Sequence, residues 1–298
     1  MQTAASPALS DLRRSLAEAA LRTGPAAAGR VGLGAAEIDA ALSGGLERSA
    51  LHEVYAAGTA GLAAATGFAL GLALRAARGD AQGGVHEDAQ EGAAGSGRPI
   101  LWVRQDFVDA ETGRLHAPGL NEFGLDPARL LLVRARDGEG VLRAGAEGAR
   151  CPALGAVLIE PWGEPRAFDL TASRRLALAA EGSGVTTLLL RVAAAEMPSA
   201  ARTRWQVRPL ASRALEANAP GGPAFGLRLL RQRGGVAERE WRVEWNRDRC
   251  AFENRTVFDR SDTSRRTDVP PLSRPLVPLS GDGQAAAAGP DSGLRRTG

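Results

Sequence analysis

Residues 51–77 constrain the fold most. Positions 51–55 form a short run of strand character, 56–61 a glycine-containing turn, and 62–77 an uninterrupted Ala/Leu-rich stretch of helical length. Strand, glycine turn and helix in that order is the layout in which the phosphate-binding pattern G-x-x-x-x-G-K-S/T is found. Set on that pattern, Ala56 stands at the first glycine, Gly61 at the second, Leu62 at the lysine and Ala63 at the hydroxyl. A triphosphate site needs a cation on the terminal phosphates and a hydroxyl on the metal, and Leu62 and Ala63 supply neither. No other lysine can stand in, because the chain has none: its 37 basic residues are all arginine. Gly58, Thr59 and Gly61 keep a backbone that can face an anion at a helix start. The expectation is a vestigial loop with no cofactor and no catalytic residue.

Composition narrows the remaining classes. A chain of 298 residues can bury a sizeable core. Cys151 and Cys250 do not suggest a disulfide framework, and His52, His86 and His116 lack ligand spacing, so no metal site is expected. No segment is expected to reach the length of a membrane span, and the chain reads as cytoplasmic. A net charge of +3 is too small to argue for nucleic acid, yet positions 200–250 hold eleven arginines against five acidic residues.

Periodicity predicts an amphipathic helix over 7–22, with Leu9, Leu12 and Leu16 on one face, joined by a linker to residue 30. A core over 31–254 follows, interrupted at 79–98 by a Gly/Ala-rich flexible insertion. Within it, strands are predicted at 100–104, 130–134, 156–159 and 185–192, and helices near 38–42, 62–77 and 171–181. Strands alternating with helices imply an α/β fold with a mostly parallel sheet covered on both faces. Runs 225–233 and 240–245, separated by Gly234-Gly235, read as a C-terminal antiparallel β-hairpin on the sheet edge. Residues 255–298 read as a disordered tail.

Several segments carry a resemblance. Ile38-Asp39-Ala40-Ala41-Leu42, Gly44-Gly45-Leu46 and Glu53-Val54-Tyr55 precede the loop; Gln105-Asp106 follows the next strand; Phe123-Gly124-Leu125-Asp126-Pro127-Ala128-Arg129-Leu130 leads into another; and Ala156-Val157-Leu158-Ile159-Glu160 ends an apolar strand on a carboxylate. In order and spacing these resemble the core of RecA-type ATPases. Ile159-Glu160-Pro161-Trp162-Gly163, Thr203-Arg204-Trp205 and Trp241-Arg242-Val243-Glu244-Trp245-Asn246 are similar to the ImuA family, RecA-like and SulA-related accessory proteins of damage-inducible mutagenesis. That resemblance implies a RecA-like fold with a degenerate P-loop and a non-catalytic adaptor role in SOS-induced error-prone translesion synthesis. The implied partners are an ImuB-like Y-family polymerase homologue and RecA, and indirectly an error-prone DnaE-type polymerase.

By the same resemblance Glu160 is the vestige of a metal-binding carboxylate, and Asp106 stands where an ATPase places its water-activating acid. Neither is expected to act without a bound triphosphate. The loops at 161–168 and 193–204 correspond to those that contact single-stranded DNA in RecA relatives. Arg202, Arg204 and Trp205 there offer backbone charge beside a stacking ring, against a packed tryptophan in a solvated arginine face. Arg231, Arg233, Trp241, Arg242 and Trp245 are candidates for a partner surface, against core packing of the tryptophans. Two other classes stay open: an ATP- or DNA-binding RecA-like motor, and a SulA-like inhibitor of cell division.

Overall fold

The computed structural model describes residues 7–22, 29–78, 97–235 and 238–255. The expected insertion, apart from Gly97 and Arg98, and the tail beyond Arg255 lie outside the described residues.

The chain opens with α1 (Pro7–Arg22). A two-stranded ribbon, β1 (Arg30–Val31) and β2 (Leu46–Glu47), then brackets α2 (Ala36–Ala41). The Asp39 carboxylate ties this entry together by accepting the Leu33 N–H at 2.6 Å and the Gly34 N–H at 3.0 Å. Strand β3 (Leu51–Ala56) leads through a 3-10 turn at Thr59–Gly61 into α3 (Leu62–Ala77). Next come β4 (Ile100–Gln105), α4 (Asp106–Thr112), α5 (Ala117–Phe123), β5 (Leu130–Ala135), α6 (Gly138–Ala149), β6 (Ala156–Glu160), α7 (Leu170–Ser183) and β7 (Thr186–Arg191). Four strands close the described chain: β8 (Thr203–Leu210), β9 (Ala224–Gln232), β10 (Arg239–Asn246) and β11 (Ala251–Asn254).

Nine strands form one sheet in the order β11-β10-β9-β8-β3-β7-β6-β4-β5. Pairings from β5 across to β8 are parallel, and β8 through β11 run antiparallel. Strands β3, β6 and β7 are buried along their lengths, because helices cover both faces of the parallel half.

Helix α3 fills one face. Its Phe68 and Leu72 meet Trp102, Leu158, Leu188, Trp205, Phe225 and Phe252 in one continuous core. Phe68 lies 5.6 Å from Trp205 and 5.2 Å from Phe252, in tilted and edge-on arrangements that aromatic quadrupoles favour. The other face is covered by α1, α6 and α7, whose Leu12, Leu16, Val141 and Leu176 pack on Leu101, Val103, Val157 and Ile159. Helix α6 reaches the sheet because it presents glycine there. A Cβ at Gly145 would come within 2.6 Å of Ile159, and one at Gly148 within 2.2 Å of Leu101. Helix α1 docks on its own core, with Arg13 paired to Glu147 at 2.9 Å.

Two expectations need correction. The antiparallel pair β9–β10 is not the sheet edge, because β11 pairs outside β10 through Trp245↔Phe252. Nor do all segments fall short of a membrane span: residues Thr59–Ala77 are long and apolar enough to cross a membrane by length and composition. That helix is apolar nearly all round because it lies between the sheet and the segments above it, with eleven of its residues buried.

Candidate functional site

The C-terminal ends of the parallel strands are where an open α/β sheet offers a crevice for ligands. Here the crevice starts at the turn after β3. Gly58 takes a left-handed backbone with φ +75°, and the 3-10 turn then feeds α3. A phosphate-cradling loop needs its N–H groups free. In this turn the Ala57 N–H donates to the Val207 carbonyl at 2.8 Å, the Gly58 N–H to Ala56 at 3.0 Å and the Gly61 N–H to Gly58 at 3.1 Å. Three amides that could have met an anion are therefore spent on protein carbonyls. Above the turn lies a cleft of about 820 Å³. Leu62, Ala63, Leu115, Phe123, Pro209 and Phe225 give it apolar walls, with Arg104, Glu111 and Arg114 at its polar side.

The carboxylate expected opposite the loop is present and occupied. Glu160 closes β6 beside Arg104 of β4, its direct neighbour in the parallel register. Arg104 Nε donates to Glu160 Oε2 at 2.6 Å, and the Trp102 indole N–H donates to the same oxygen at 2.8 Å. The rest of the guanidinium reaches Asp109 at 2.5 Å and the Thr112 hydroxyl at 3.2 Å. Arg134 adds a second cation to Asp109 at 3.0 Å. Burial pushes the Glu160 carboxyl above its ordinary range, and Arg104 and the Trp102 N–H pull it back. An internal guanidinium thus links the two carboxylates of Glu160 and Asp109. Among the described residues no cluster of three His, Cys, Asp or Glu can hold a metal ion. Asp106, half exposed at the start of α4, points to Arg134 at 3.4 Å.

A second buried pair sits on the opposite face of the sheet. Glu53 of β3 and Arg204 of β8 are again register partners. Arg204 Nε and the Ser199 hydroxyl both donate to Glu53 Oε2 at 2.9 Å. The Arg204 guanidinium lies 5.5 Å from the Tyr55 ring, and fully buried Arg191 sits 4.5 Å from Phe168.

These contacts redistribute the residues expected on a DNA or partner surface. Arg204, Trp205 and Trp245 are buried and so cannot be surface contacts. Strand β8 lies inside the sheet, so its alternate side chains enter the two covering layers. The buried Arg204 side chain is accommodated there by the Glu53 carboxylate. Trp205 donates its N–H to Thr203 at 2.9 Å, while Trp245 stacks on Phe123 at 5.1 Å and donates to the Phe123 carbonyl at 2.9 Å. Trp241 is half-buried, 6.0 Å from Trp205. Arg231 is half-buried on the Ser199 carbonyl at 2.9 Å. Arg202 is half-buried and paired with Glu47 at 3.0 Å, and only Arg233 and Arg242 of these candidates are exposed. The sequence reading missed Arg104, Asp109 and Arg191. A charge inside an apolar strand such as Ile100–Gln105 was the available signal, since it demands a partner.

Comparison with curated proteins finds two relatives, both called Protein ImuA, from Caulobacter vibrioides strain NA1000 / CB15N and from strain ATCC 19089 / CIP 103742 / CB 15. Each is 30% identical over 216 residues, covering 69% of this chain and 72% of the relative. No family model matches the chain.

Proposed function

We infer the function from one premise: the chain belongs to the ImuA family. On that premise it takes part in damage-inducible mutagenesis. The finer reading is a non-catalytic, RecA-like adaptor in an SOS-induced, error-prone translesion synthesis complex in the cytoplasm. It binds an ImuB-like Y-family polymerase homologue and RecA, and through them serves an error-prone DnaE-type polymerase. One observation supports the loss of catalysis above others: the carboxylate at the end of β6 is neutralised by Arg104, while Leu62 and Ala63 stand where a lysine and a hydroxyl would hold a triphosphate. Hydrolysis then cannot drive cycling, and regulation falls to expression and binding equilibria. Contact with single-stranded DNA, if made through Arg202 and its exposed neighbours, is weak and salt-sensitive.

The test is direct binding of the purified chain to a purified ImuB-like protein and to RecA, with and without magnesium ATP. The adaptor reading expects a Kd of about 1 μM or tighter for at least one of them, unchanged by nucleotide. Failure to bind either removes its main support. ATP turnover lost in a Glu160→Ala variant would favour a motor, and filamentation of cells producing only this chain a SulA-like division inhibitor.

A further inference from the structure

Helix α7 buries Ser173, Leu176 and Ala180 and turns Arg174, Arg175, Leu178 and Glu181 outward. Leu178 is 66% exposed, the most open large hydrophobic side chain among the described residues. An isolated exposed leucine needs no explanation, but this one forms a ridge between two depressions. One, of about 480 Å³, lies beside the end of α6 and is lined by Arg150, Arg175, Ala179 and Gly182. The other, of about 300 Å³, lies against the starts of β3 and β8, with Arg174, Ala200, Arg202 and Arg233 on its walls. Four exposed arginines and half-buried Arg202 therefore surround the ridge, against Glu47 and Glu181; Glu47 is already paired with Arg202, and Arg150 lies 3.8 Å from Glu147.

We propose that this face of α7 docks an acidic segment of a partner protein that carries an apolar side chain. The partner's leucine or aromatic group covers Leu178, and its carboxylates settle over the arginine-lined depressions on either side. Charge complementarity selects the acidic sequence and speeds encounter, and the desolvated apolar contact anchors it. A nucleic-acid backbone fits less well, because it would leave Leu178 in water and set phosphates beside Glu181. The surface lies at the N-terminal ends of the strands, away from the cleft above Gly58, and the inference does not depend on the family premise.

Fluorescence anisotropy with the full chain at low salt tests it. The probes are a short labelled peptide of glutamates flanking two leucines, the same peptide with serines for leucines, and an oligo-dT of equal length. We expect the leucine peptide to bind, to weaken at least tenfold with Leu178→Ser or with Arg174→Glu/Arg175→Glu, and to be unaffected by Arg228→Glu. Because the substituted side chains are exposed, thermal melts should match the parent and exclude a folding defect. The proposal is overturned if the leucine peptide does not bind, if the serine peptide binds as tightly, or if the α7 variants bind unchanged. It is equally overturned if oligo-dT alone binds and is lost with the charge reversals, which would make this a nucleic-acid face.

Discussion

The turn after β3 and the end of β6 face the same crevice and differ in what they keep. At the turn the side chains suited to phosphate are missing, and three backbone N–H groups bond inward. At β6 the carboxylate is in place, yet it sits 2.6 Å from an arginine of the adjacent strand and 2.8 Å from an indole N–H. One region lacks a cation and a hydroxyl in its sequence, and the other has its carboxylate held by an internal partner. The difference shows that a carboxylate at the expected position is no sign of metal binding until its contacts are known. It also makes the β6 end the more costly of the two regions to disturb.

The largest effect should come from breaking the Glu160 pair. Arg104→Ala leaves a buried carboxylate with one N–H donor and should cost about 3–5 kcal/mol in urea denaturation. Replacing both partners with methionine should cost much less, since neither charge is then left buried alone. Loss of under about 1 kcal/mol in the single variant would mean that the pair behaves as a surface contact.

The N-terminal end of β3 offers a second, pH-dependent test. His52 is buried, its Nε2 on the Glu47 carbonyl and its Nδ1 on the Thr203 hydroxyl, both at 2.8 Å. Because a carbonyl only accepts, Nε2 carries the proton and Nδ1 accepts from Thr203. Burial, with a smaller push from Arg202, lowers its pKa to about 4. The unfolded chain then binds the extra proton first. This contribution is complete above about pH 6.5 and lost as pH falls towards 4, amounting to roughly 3 kcal/mol. His52→Gln should flatten that part of the stability–pH curve, and an unchanged curve would show that His52 does not control it.

The smallest effect is expected where the comparison is sharpest. Introducing a lysine and a hydroxyl with Leu62→Lys/Ala63→Thr should cost about 1–2 kcal/mol, since Ala63 is exposed while Leu62 is half-buried against the core around α3. It should not create ATP binding, because Arg104 still occupies Glu160. Should ATP bind tightly to this variant, the two side chains alone were the block and the internal pairing is incidental.

How far the sequence carried depends on the element. Helix α3 runs over the residues its composition predicts, and β3, β4 and β6 emerge from their apolar runs with ends shifted by a residue or so. Helix α6 went unread because its four glycines lower helical propensity, yet two of them, Gly145 and Gly148, let it lie close on the sheet. Strand β8 was hidden by its arginines: Arg204 looks like surface until Glu53, 151 residues away, is placed beside it. The placing of Leu62 and Ala63 at the start of the helix after the turn was legible because it is local. The pairing of Arg104 with Glu160 was not, since it exists only after the sheet sets β4 against β6.

The most direct measurement is calorimetric titration of magnesium ATP into the purified chain, with a Glu160→Ala variant alongside. The account predicts no saturable heat for either protein. Saturable binding to the parent that disappears in the variant would show that Glu160 still serves a nucleotide–metal site, and would contradict it.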